Sequence, residues 1–98
     1  MRAKKGLQVR YAENVAGYGE SKRGVHRIRN RSPDGWYVFV WIPNRGRYEA
    51  LMLLTFYRQR DALRAAAALT AAGLDSHGAM QKAGAAVVKQ VACEFLQW

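Results

Sequence analysis

Side chains that alternate between two faces, the mark of a strand, recur in three stretches after residue 21. Over residues 24–30, Val25, Arg27 and Arg29 share one face while His26, Ile28 and Asn30 share the other. Ser32-Pro33-Asp34-Gly35 then predicts a tight reversal, since proline pre-sets a negative φ and glycine accepts the conformation that closes the turn. A second strand follows over residues 36–42, with Trp36, Val38, Val40 and Ile42 on one side and Tyr37, Phe39 and Trp41 on the other. Pro43-Asn44-Arg45-Gly46 makes the next turn, where proline's missing N–H stops the ladder. A third strand spans residues 47–56, in which Leu51 and Leu53 face one way and Met52, Leu54 and Phe56 the other. Strands two and three are therefore apolar on both sides, whereas an antiparallel sheet ordinarily leaves one face to water. Both faces need cover.

The period changes to that of a helix downstream. Residues 60–73 are rich in alanine and leucine, the best helix formers, and end at Gly73, suited to a left-handed C-terminal position, with Leu74 as its hydrophobic cap. A second helix over residues 75–98 starts at Asp75 or Ser76, either of them a good N-cap. Met80, Gly84, Val87, Val88, Val91, Phe95 and Trp98 fall on one stripe of it, opposite Lys82, Lys89, Cys93 and Gln97. Residues 1–21 read as a basic arm in which Leu7, Val9 and Tyr11 suggest one short edge strand. The fold class predicted is α+β. It consists of a three-stranded antiparallel sheet over residues 22–56 packed with an alanine-rich helix, plus a C-terminal amphipathic helix, as one domain over residues 22–98.

Charge adds a direction to this picture. Residues 1–60 hold 13 of the 16 Lys and Arg but only four of the seven acids, so the whole net charge of +9 sits there and the remainder is neutral. A basic field confined to one region is the usual footprint of a polyanion, and a solvated face is the plainer use of the same residues. No apolar run is long enough to span a membrane, and the basic start lacks the apolar core of a secretion signal. One cysteine, Cys93, makes no internal disulfide, which predicts a reducing, cytoplasmic setting.

Several residues resemble the APETALA-two or ethylene-response-factor type of DNA-binding domain, versions of which occur in phage and mobile-element proteins. They are Arg23-Gly24-Val25, Gly35-Trp36, Thr55-Phe56 and the spacing of Ala62, Ala66 and Ala67, within residues 22–74. The resemblance implies three strands backed by one helix, and a sheet face away from that helix that reads the major groove. The family's charged reading positions on strand two fall on Phe39 and Trp41, and those on strand three fall on Ala50 and Met52; Arg23 carries over directly.

The chemistry expected is binding. Lys22, Arg23, Arg27, Arg29, Arg31, Arg45 and Arg47 are the candidates for contact with the phosphates of DNA or RNA. Tyr37, Phe39 and Trp41 could stack unpaired bases, form core under the C-terminal helix, or join Phe95 and Trp98 in a protein interface. The alternative function is accordingly a phage-type inhibitor or adaptor that docks on a host protein or nucleoprotein machine, for example an anti-CRISPR, with homodimerisation through Phe95 and Trp98 as a milder version. Catalysis is not expected. His26 and His77 stand without a nucleophile or carboxylate motif, and two histidines with one cysteine supply no metal-ligand spacing. No cofactor or metal is expected either.

Overall fold

The computed structural model describes residues 6–13 and 34–96. The strand predicted at residues 24–30 lies outside these. The described sheet has three antiparallel strands in the order β1 (Gln8–Ala12), β2 (Gly35–Ile42) and β3 (Arg47–Phe56). Two of its strands are those read from the alternation, and the α+β class holds. The difference lies in the neighbour of β2. That side is taken by β1, paired from Gln8 opposite Phe39 to Ala12 opposite Gly35, so the short edge strand of the arm belongs to the sheet itself.

The turn between β2 and β3 closes at Gly46, whose φ of 62° suits glycine, and its N–H donates to the Ile42 carbonyl at 2.9 Å. The two strands then run in register from Ile42 opposite Arg47 to Phe39 opposite Ala50. Beyond this point the register shifts, because Tyr37 pairs with Thr55 and Trp36 with Phe56. Four residues of β3, Leu51 to Leu54, thus pass opposite Val38 alone, an excess of three. An odd excess reverses which alternate residues face each side of the sheet. Leu51 consequently packs on the helix side together with Leu54 and Phe56, which corrects the simple alternation expected for this strand.

One face of the sheet carries the helices of the described residues. Val38, Val40, Ile42, Leu54 and Phe56 form a buried cluster with Ala62, Ala65 and Leu69 of α1 (Gln59–Ala71), with Leu74, and with Met80, Val88 and Ala92 further on. The alanines let α1 approach the sheet closely, and Leu69 is fully buried between them. The helix ends as its sequence predicts. Gly73 has φ 77°, Leu74 N–H donates to the Leu69 carbonyl at 2.8 Å, Gly73 N–H donates to that of Thr70 at 3.0 Å, and the Leu74 side chain is buried.

The C-terminal helix is broken into two. Ser76 caps α2 (His77–Ala83) by accepting the Ala79 N–H at 3.2 Å, and α3 (Ala85–Cys93) continues after Gly84 into a single 3₁₀ turn, Glu94–Leu96. Gly84 has φ 95° and ψ 153°, a region essentially confined to glycine, so the break is built into that residue. The break re-aims the apolar stripe. Val88 and Ala92 are buried and Val91, Cys93 and Phe95 pack against the core, while Val87 is 43% exposed. Val87 therefore leaves the expected stripe, and Cys93 turns from the polar face to the core.

At the start of β2 the backbone passes so near β3 that a Cβ on Gly35 would lie 2.8 Å from Thr55 Cγ2 and 2.9 Å from the Phe56 carbonyl oxygen. Gly35→Ala is expected to destabilise the protein by about 1–3 kcal/mol, the usual scale of overpacking. Urea unfolding measures it, and an unchanged midpoint would contradict this packing.

Candidate functional site

The face of the sheet opposite the helices carries three of the four aromatic side chains of β2, Tyr37, Phe39 and Trp41, while Trp36 packs on the helix side. Tyr37 is fully buried, whereas Phe39 and Trp41 are half-buried, and none of the three belongs to the helix-side cluster. The C-terminal helix is thus not what covers these rings. Tyr37 offers no surface to a partner, which removes it from the interface set. Phe39 and Trp41 remain partly open to solvent.

Three neighbours shape the surface around them. Arg10, which alternates with Val9 and Tyr11 on β1, projects to this side and sets its guanidinium over the Phe39 ring, 4.2 Å from the centroid. Tyr48 meets Trp41 edge to face at 5.3 Å, and its hydroxyl donates to the Gly6 carbonyl at 2.9 Å. Phe39 pairs directly with Ala50, whose small side chain stands between Tyr48 and Met52 along β3. A large-small-large row on one strand leaves a depression at its middle. The result is a shallow groove of about 440 Å³ lined by Ala12, Phe39, Tyr48, Ala50 and Met52 and rimmed by Arg45, Arg47 and Glu49. Its volume falls within the roughly 300–1,000 Å³ of small-ligand pockets.

The rim is electrostatically organised. Arg45 and Arg47 are 58% and 64% exposed, and both hold Glu49, Arg45 at 2.8 Å and Arg47 at 3.2 Å. The hydrogen bond from Arg45 lowers the pKa of the Glu49 carboxyl, desolvation opposes it, and Arg47 lowers it further. Two cations on one carboxylate leave a positive excess at this corner, to which Arg10 adds another charge.

Of the remaining expected residues, Lys22, Arg23, Arg27, Arg29, Arg31 and Trp98 lie outside the described residues. Phe95 is half-buried, stacked 6.5 Å from Phe56 with Arg64 5.6 Å above it, so it fastens the Glu94–Leu96 turn to the core. His77 borders a second, largely apolar groove of about 350 Å³ on the helix side, together with Leu51, Met80, Gln81, Gly84, Ala85 and Val88. Among the described residues no three His, Cys, Asp or Glu stand together as a metal site, and no helix is long and apolar enough to cross a membrane. Arg10 and Tyr48 were not singled out from the sequence. The signal for Arg10 was its place between Val9 and Tyr11 in a strand, and for Tyr48 its spacing two residues before Ala50.

No family model matches this chain, and no curated protein or solved structure shows significant similarity to it.

A carboxyl held by two guanidiniums protonates below the ordinary range. Any stability that Glu49 contributes is present above its unfolded pKa and is lost as pH falls through the lower folded value. A carboxyl NMR titration is expected to put the Glu49 midpoint below that of an unpaired glutamate, and Arg45→Gln to raise it. A midpoint that ignores Arg45→Gln would contradict the pairing.

Proposed function

We propose that this chain is a small nucleic-acid-binding protein that holds the phosphate backbone with arginines and performs no catalysis. The observation that carries the reading is the aromatic groove on the face opposite the helices, with Arg10 over Phe39 on that face and Arg45 and Arg47 bordering the groove from the turn before β3 and from β3, the edge strand of the described sheet. The confinement of the entire +9 charge to residues 1–60 supports it, because a polyanion then meets one side of the molecule. The expected contacts of Lys22, Arg23, Arg27, Arg29 and Arg31 extend the same surface in this proposal. The likeness to the APETALA-two type supports the reading in one further respect, the use of the sheet face away from the helix. A cytoplasmic setting belongs to the proposal too, since Cys93 packs against the core as a free thiol.

A second reading, a protein-binding inhibitor or adaptor, draws on a different observation. The helix-side groove at the Gly84 break is almost wholly apolar, and Val87, beside Val88 of its lining, is exposed. A pull-down from cell lysate separates the two readings when run with and without nuclease: capture that survives nuclease favours the protein partner.

Phosphate binding releases counterions, so affinity for DNA or RNA is expected to fall steeply with salt. Arg45→Gln with Arg47→Gln should reduce the slope of log K against log salt by roughly 1–2. Glu49→Gln, which frees both arginines, should tighten binding about two- to fivefold, the scale of an exposed ion pair. Undetectable binding at about 50 mM salt, or binding indifferent to salt, would overturn the reading.

A further inference from the structure

We propose that the groove between Phe39 and Met52 takes unpaired nucleobases, so that the protein prefers single-stranded nucleic acid to duplex. This rests on the nucleic-acid reading above and names the form of the polymer. The groove is an aromatic and apolar surface in a positive setting, and a base has two apolar faces attached to an anionic backbone. Within a duplex those faces are covered by the neighbouring base pairs, so only an unpaired base can lie against Tyr48 or on the guanidinium above Phe39.

The side chains are arranged for this use. Ala50 opens the floor opposite Phe39, and Tyr48 and Met52 bound it along β3. Tyr48 is held by its bond to the Gly6 carbonyl and by its edge contact with Trp41, so its ring loses little freedom when a base meets it. Arg10 lies over Phe39 and is exposed, so its guanidinium is available to a base as a further stacking partner. Arg45, in the turn before β3, and Arg47, opposite Ile42 in the register, border the groove at the edge of the described sheet, so they meet the phosphates of a strand that leaves the groove over that edge. Among the described residues, Arg45 and Arg47 against Glu49 in the lining, with Arg10 over Phe39 beside them, give the charge complementarity that selects a polyanion over an apolar peptide as the occupant.

Stacking and phosphate contact are separable by ligand. The test uses the full chain and fluorescence anisotropy at about 50 mM salt, with three ligands of about 12 nucleotides, a length within the 4–16 typical of one sheet-based site. They are an oligodeoxythymidine, an abasic phosphodiester of equal charge, and a blunt duplex. The oligodeoxythymidine is expected to bind roughly tenfold or more tighter than the abasic chain, and tighter than the duplex. Equal binding of the first two, or preference for duplex, overturns the groove assignment while phosphate contact stands. Binding to none of the three overturns both.

Ala50→Leu fills the floor from a half-buried strand position without removing any charge. It is expected to bring the oligodeoxythymidine down to the abasic level while the salt slope stays that of the wild type. A folded Ala50→Leu protein that keeps the preference for bases overturns the assignment. If that variant fails to fold, the wild-type comparison of the three ligands decides alone.

Discussion

Val38 occupies the point at which β3 gains three residues on β2, and the character of both sheet faces follows from that shift. Because the excess is odd, Leu51 can point to the helices in the first half of β3 and Leu54 and Phe56 in the second. A strict alternation would have put Leu51 and Leu54 on opposite sides, at a cost of about 1.5–3 kcal/mol for each large aliphatic side chain left in water. The shift puts both Leu51 and Leu54 on the helix side. It leaves Tyr48, Ala50 and Met52 as a row on the other face, and the groove is the space above the smallest of them.

The two grooves differ in what surrounds them. The helix-side groove arises where Gly84 divides α2 from α3, and its lining from Leu51, Met80 and Val88 carries no charge. The sheet-face groove is flanked by guanidiniums that are already engaged, Arg10 on a ring and Arg45 and Arg47 on one carboxylate. Such engagement is reversible at an exposed surface, where an ion pair contributes little. It keeps the arginines oriented.

Much of the fold was legible because its signals are local. Proline at residue 43, glycine at residues 46 and 73, and serine at residue 76 each fix a turn or a helix end through their own backbone or side-chain chemistry. What was not legible depends on distant partners or on exceptions to a period. The pairing of Gln8–Ala12 with β2 joins segments more than twenty residues apart, and residues 24–30 showed the stronger alternation. The shift opposite Val38 leaves no mark in a strand whose residues are apolar at every position from Leu51 to Leu54. Gly84 fits an apolar stripe as well as a break, since a glycine inside a helix costs only about 1 kcal/mol relative to alanine. At the site, Phe39 and Trp41 were visible as outward rings, but Arg10 and Tyr48 became neighbours only through the register.

Use of the sheet face opposite the helices as the nucleic-acid surface is the central claim. It is tested most directly by amide chemical-shift mapping of the labelled protein during titration with a short oligodeoxythymidine. The expected result is perturbation centred on Phe39, Tyr48, Ala50 and Arg47, with the amides of α2 and α3 unmoved. Perturbation confined to α2 and α3, or none at all, would contradict it.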